Sequence, residues 1–263
     1  MQVSGGLLGA FDIWEMAIVQ ALLNNSETWY DISEDTVNKL EEIQNLFLRV
    51  VLDVPASTPK PALLWETGFL PMSMRVMKRK LRFMNFIKNL GSDSLSKQIY
   101  NEQIKNNWPG PVKEAEKICE DLNLPNITEN TVYNDDIDAA CKDETEKNLK
   151  QKMENLSKLK DKVDESFQQK EYLNSCNIFE SRTMFRARSK MLECKMNFSH
   201  DPKFSKDLWM CDSCKRAIDT QSHVMICPAY SKLREGKDVN CDEDLVKYLV
   251  EVMKIRERMG FRK

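Results

Sequence analysis

Cys211, Cys214, His223 and Cys227 follow the spacing Cys-x2-Cys-x8-His-x3-Cys. Two cysteines separated by two residues place both sulfurs on one side of a tight turn. His223 and Cys227 are four apart, so on a helical turn they project to the same side. Three thiolates and one imidazole close a tetrahedral shell around a borderline-soft ion, the ligand set of structural Zn2+. A closed shell leaves no position for an activated water, so the metal is expected to organise the fold. The competing reading is a group of ordinary buried cysteines with a core histidine. The chain has only two histidines, and one falls at ligand spacing. Cys194, His200 and Cys241 stand as reserve ligands.

Two basic clusters carry the next chemistry. Arg75, Lys78, Arg79 and Arg82 share one helical face by the three-and-four rule, with Phe86 on the same arc and Met77, Leu81 and Met84 opposite. No acidic residue lies between Glu66 and Asp93, so the stretch holds six positive charges without local compensation, counting Lys80 and Lys88. Such a face can track a phosphate backbone; otherwise it is a solvated helix surface. Arg182, Arg186 and Lys190 align at successive steps of four, with Arg188 alongside, and Arg216 sits in the metal loop beside Cys214. From Cys176 to Glu235 there are 11 basic and 7 acidic residues. A small zinc unit coupled to an arginine row points to RNA or DNA as partner, with no membrane and no small-molecule substrate.

The elements that must position these groups are helices. No Gly occurs between Gly110 and Gly236, and no Pro between Pro125 and Pro202, so the usual punctuation of turns and strands is missing. An apolar helix is expected over Leu7 to Leu23. Ser33 caps a second, with Val37, Leu40, Ile43, Phe47 and Val50 as its buried face. A short helix ends near Gly68, and Pro71 opens a longer one. Between Lys142 and Glu171, 16 of 30 residues are charged, and Leu149, Met153, Leu156, Leu159, Val163 and Phe167 step through by three or four. This reads as one long helix, packed on the protein or acting as a spacer. A last helix covers Glu243 to Arg258. The fold class is therefore mainly α, with an N-terminal helical bundle (1–107), a charged helical linker (108–175) and a small zinc-binding C-terminal domain (176–263).

The 263 residues carry 39 Lys plus Arg against 41 Asp plus Glu, so polyanion binding must come from local patches. Eight cysteines with uneven spacing fit a reduced compartment with one metal site better than a disulfide framework. The first residues lack a basic leader segment and meet Asp12 and Glu15 early, which argues for a cytoplasmic or nuclear protein that is not secreted. No phosphate loop, nucleophile elbow or acid–base pair is present, so no enzyme activity is expected. Tyr133-Asn-Asp-Asp136 has the letters of a polymerase metal-binding turn, but no apolar strands bracket it. It reads instead as a helix start with acids in the first turn.

Gly9-Ala-Phe-Asp-Ile-Trp-Glu15, Leu22-Leu-Asn-Asn-Ser-Glu-Thr-Trp29, Val54-Pro-Ala-Ser-Thr-Pro-Lys-Pro61 and Trp65-Glu-Thr-Gly68 resemble the region after the catalytic palm in non-LTR (LINE-type) retrotransposon polyproteins. Arg182-Thr-Met-Phe-Arg186 through Asp219-Thr-Gln-Ser-His-Val-Met-Ile-Cys-Pro-Ala-Tyr230 resembles their C-terminal zinc-binding segment. The resemblance is weakest over residues 130 to 172. It implies a helical thumb near the N-terminus and a zinc domain that contacts RNA or DNA. Fingers, palm and endonuclease have no counterpart in these residues, so the resemblance implies a non-catalytic reverse transcriptase fragment. A protein-interaction or self-associating scaffold, built on the Leu149–Phe167 seam, is the alternative.

Overall fold

The computed structural model describes residues 7–198, 209–239 and 241–260. Among them the chain is mainly helical, and the only β pairing is an isolated antiparallel bridge between Met210 and Ile218. Helix α1 (Leu7–Ile13) passes through a π segment (Trp14–Ile18) into α2 (Val19–Leu22). The π segment buries Trp14, whose ring stacks on Phe47 at 4.3 Å between centroids.

Helix α3 (Glu34–Leu52) begins where expected, with the Ser33 side chain accepting from Thr36 N at 3.3 Å. Its buried face differs from the expected one. Leu40, Gln44, Asn45, Leu48 and Leu52 are buried, whereas Ile43 and Val50 are exposed. Polar bonds set this rotation. Gln44 Nε2 donates to Leu70 O at 3.0 Å, and Glu41 Oε1 accepts from Ser73 N at 2.9 Å. Both acceptor and donor lie at the start of the next long helix, so α3 turns its amide and carboxylate toward that start.

Helix α4 (Lys60–Thr67) ends at Gly68, which takes the left-handed conformation at φ 67°. Helix α5 (Met72–Lys88) follows Pro71. Then come α6 (Leu95–Asn106), α7 (Pro111–Asp121) and α8 (Asn134–Glu154), the last with Asp135 and Asp136 in its first turn. The single long helix expected through residue 171 is not formed. The chain leaves α8 at Asn155, makes a 3-10 turn at Lys160–Lys162, and reaches the short α9 (Tyr172–Ser175). Packing explains the break. A straight helix of 30 residues would run about 45 Å and carry its far apolar residues off the body. Bending instead buries Leu149, Met153, Leu159 and Phe167, and sets the Phe167 ring 5.9 Å from Trp65. The seam is spent inside the chain, so it is neither a spacer nor a free docking face.

Helix α10 (Ile178–Arg188) starts with a reciprocal cap between Asn177 and Glu180. Helices α11 (Gln221–Ile226), α12 (Ser231–Arg234) and α13 (Asp242–Arg258) complete the chain. The larger apolar cluster joins Leu23, Leu48, Leu63 and Trp65 to Leu192, Val224, Leu249 and Val252. A smaller one gathers residues of α5 to α8, including Leu81, Tyr100, Ile118 and Ile137. Apolar packing thus runs across positions 107 and 175. No helix among the described residues is long and apolar enough to cross a membrane.

A Cβ at Gly68 would collide with the backbone N of Gln169. Positive φ and that contact together predict that Gly68→Ala costs about 2 kcal/mol or more. A lower urea midpoint at unchanged slope checks it.

Candidate metal centre

The Cys211–Lys215 turn is closed by two backbone bonds: Cys211 N to Ala217 O and Lys215 N to Cys211 O, each 2.8 Å. Lys215 takes the left-handed conformation at φ 54°, which reverses the chain within one residue. His223 comes from the first turn of α11, where Thr220 Oγ1 accepts from His223 N at 3.0 Å. Cys227 follows the last residue of α11. The ligand atoms of Cys211, Cys214, His223 and Cys227 all lie within 4.8 Å of one another. Cys211 Sγ is 3.9 Å from Cys227 Sγ, and Cys214 Sγ is 3.2 Å from His223 Nε2. With Zn–S about 2.3 Å and Zn–N about 2.0 Å, tetrahedral edges are about 3.8 and 3.5 Å. The four residues therefore fit a tetrahedral metal ion of the zinc type, with Nε2 as the histidine donor.

Cys211 and Cys227 are fully buried, His223 is nearly so, and Cys214 is half-buried. Burial pushes the Cys227 thiol up to about 11. At Cys214 burial acts the same way, but Arg216 N, donating to Sγ at 3.4 Å, and neighbouring groups hold this thiol below its ordinary value. Of the reserve ligands, Cys194 is buried next to the site but outside the cluster. Burial, with Asp219 nearby, pushes its thiol up to about 12, which keeps it neutral. Cys241 is exposed before α13, and His200 lies outside the described residues.

The supporting shell was not legible from spacing. Asp219, 0% exposed, takes Arg256 of α13 through both oxygens, with Nη1 to Oδ1 at 2.9 Å, and its Oδ2 also accepts from Lys195 N at 2.8 Å. Although burial opposes it, Asp219 holds the Arg256 guanidinium above its ordinary pKa. Tyr248 OH donates to Val224 O at 2.6 Å, and Arg234 Nη1 donates to Cys227 O at 3.0 Å. The final helix therefore grips Asp219 and α11, which presents His223, while Arg234 of α12 holds the carbonyl of Cys227. The one available signal was Arg256, which falls in step with the apolar Leu249, Val252 and Met253 of α13.

The basic clusters are placed differently from the free faces their spacing offered. Acids from other elements meet the α5 row. Arg75 pairs with Glu15 at 2.6 Å, Lys78 and Arg82 with Asp138 at 2.9 and 2.8 Å, and Lys80 with Glu114 at 2.5 Å. Arg79 donates to Leu23 O at 2.9 Å and pairs with Glu27 at 3.7 Å. In α10, Arg182 Nε donates to Val51 O at 2.9 Å, and Arg186 binds Asp53 O and Glu193. Arg188 binds Glu66 at 2.7 Å and Glu165. Lys190 is half-buried and pairs with Asp161, while Arg216 is exposed. No family model matches the chain, and neither a curated protein nor a solved structure matches it.

Reduced protein is expected to hold one zinc per chain and Cys227→Ser to lose it, by elemental analysis. Chelation is expected to raise amide exchange over residues 209–234 while α3 to α5 keep their protection. Arg188→Ala, which strands the buried Glu66 carboxylate, is expected to cost about 3 kcal/mol in urea unfolding.

Proposed function

We propose that this chain is the thumb-plus-zinc region of a LINE-type reverse transcriptase and acts as a non-catalytic nucleic-acid-binding module held together by structural Zn2+. The observation that carries this reading is the four-ligand cluster with Lys215 and Arg216 exposed at its rim. Four protein ligands leave the ion no open position, so it cannot activate water and serves to fix the loop. The fixed loop holds two cations in solvent, where phosphate oxygens can reach them.

The residues that carry the retroelement resemblance also carry the structure, which supports the assignment. In Asp219-Thr-Gln-Ser-His-Val-Met-Ile-Cys-Pro-Ala-Tyr230, Asp219 anchors α13, Thr220 caps α11, His223 and Cys227 are ligands, and Tyr230 is buried. The scaffold alternative rested on the Leu149–Phe167 seam, whose residues pack into the chain's own core. The working compartment of such a module is the cytoplasm or the nucleus.

Titration of single-stranded RNA and duplex DNA oligonucleotides across a salt series tests the reading. Affinity is expected to fall roughly tenfold or more between about 50 and 200 mM salt, and to drop when the metal is chelated. Absence of salt-dependent binding to either polymer overturns it.

A further inference from the structure

We infer that the nucleic acid lies along a basic strip from the 158–161 loop, past the end of α10, to the metal loop, and not on either helical arginine row. The inference rests on the nucleic-acid reading above and specifies its contact surface and the part of the polymer recognised.

Side-chain contacts lace the strip together. Lys158 Nζ donates to Asn197 Oδ1 at 3.3 Å, which brings the loop against the segment after α10. Lys190 Nζ meets Asp161 Oδ2 at 2.9 Å. Lys195 and Lys215 share Asp212, each at 2.7 Å, which joins the same segment to the metal loop. Lys160 and Arg216 adjoin these pairs in the chain, so six cations lie along the strip, with Asp161 and Asp212 bound to the lysine side chains among them. Lys158, Lys160, Lys215 and Arg216 are exposed and Lys190 is half-buried. Lys195 is buried, so it contributes to the local potential without reaching a ligand.

The helical rows are the poorer competitors for phosphate: of their salt-bridged cations only Arg82, paired with Asp138 at 41% and 40% exposure, is as accessible as Lys190. Their guanidinium groups are held by carboxylates and carbonyls of other elements, and freeing Arg188 would leave Glu66, 2% exposed, without its cation. The Lys190–Asp161 pair is solvent-accessible on both sides, at 39% and 54%, and such pairs are cheap to exchange. A phosphate can therefore take Lys190 from Asp161 without disturbing the core. The exposed groups of the strip are lysine and arginine, which reach phosphate oxygens and carry no sequence readout of their own. Recognition is of the phosphodiester backbone, with weak base preference.

The test compares two triple charge reversals of the full zinc-loaded chain. One is Lys158→Glu, Lys160→Glu and Arg216→Glu. The other is Lys39→Glu, Lys105→Glu and Lys247→Glu, three exposed lysines elsewhere with the same change in net charge. Circular dichroism and zinc content establish that both fold. The strip variant is expected to bind single-stranded RNA about tenfold or more weakly, with a log–log salt slope shallower by about two. The remote variant is expected to stay within about threefold of wild type. Equal weakening in both variants, or wild-type affinity in the strip variant, overturns the strip and leaves the nucleic-acid reading standing. A wild-type chain that binds no polymer at any salt overturns both.

Discussion

Glu66 is buried to 2% exposure, and a carboxylate that far from water needs a cation and full hydrogen bonding. Arg188 Nε reaches it at 2.7 Å and Tyr172 OH donates to the same oxygen at 2.8 Å, while its own carbonyl accepts from Lys170 N at 3.0 Å. Burial, reinforced by Glu66, drives the Tyr172 phenol well above its ordinary pKa, so the hydroxyl remains a donor. Helix α4, the turn before α9, α9 itself and α10 are tied together at one point. Replacing such a pair by apolar groups often costs little, but a register that misses it leaves a bare charge in the interior. The network therefore selects one arrangement more than it stabilises it. Once α10 is fixed, Arg182 and Arg186 reach the end of α3, where carbonyl groups have no partner within the helix.

The C-terminal part solves a different problem. Residues 209–234 contain only short helices and one β bridge, too little regular structure to form a core of their own. They are held from one side by α13, through Arg256 on Asp219 and Tyr248 on Val224 O. On the other side stands the Cys3His cluster, where a bound ion would join two ends of the same loop. An ion supplies binding energy where buried area is scarce. The two supports meet at α11, whose residue Val224 also enters the large apolar cluster.

Local rules were read well from the chain. The Ser33 cap, the Gly68 terminus, the Pro71 start and the acidic first turn of α8 all depend on neighbours within a few residues. The Cys3His grouping was legible for the same reason, since both halves are local turns. What spacing cannot carry is the partner across space. The α5 cations have no acid nearby in sequence, yet Glu15, Glu114 and Asp138 reach them from three other elements. The seam beyond Glu154 keeps helical spacing, but tertiary burial of Leu159 and Phe167 outweighs the cost of breaking the helix. Gln44 and Asn45 look like surface residues, and become interior ones because Leu70, just before α5, offers Gln44 an acceptor and because Asn45 bonds to its own helix.

The bonds from Arg182 to Val51 and from Arg186 to Asp53 span 131 and 133 positions of sequence. On a ribosome adding about 5–20 residues per second, α3 and α4 leave the exit tunnel on the order of ten seconds before α10 is made. Throughout that interval the apolar cluster that holds Leu48, Leu52 and Leu63 lacks its later members, among them Leu192, Leu249 and Val252. Synthesis of this chain thus has a built-in waiting period between the early helices and the clasp that joins them to the rest.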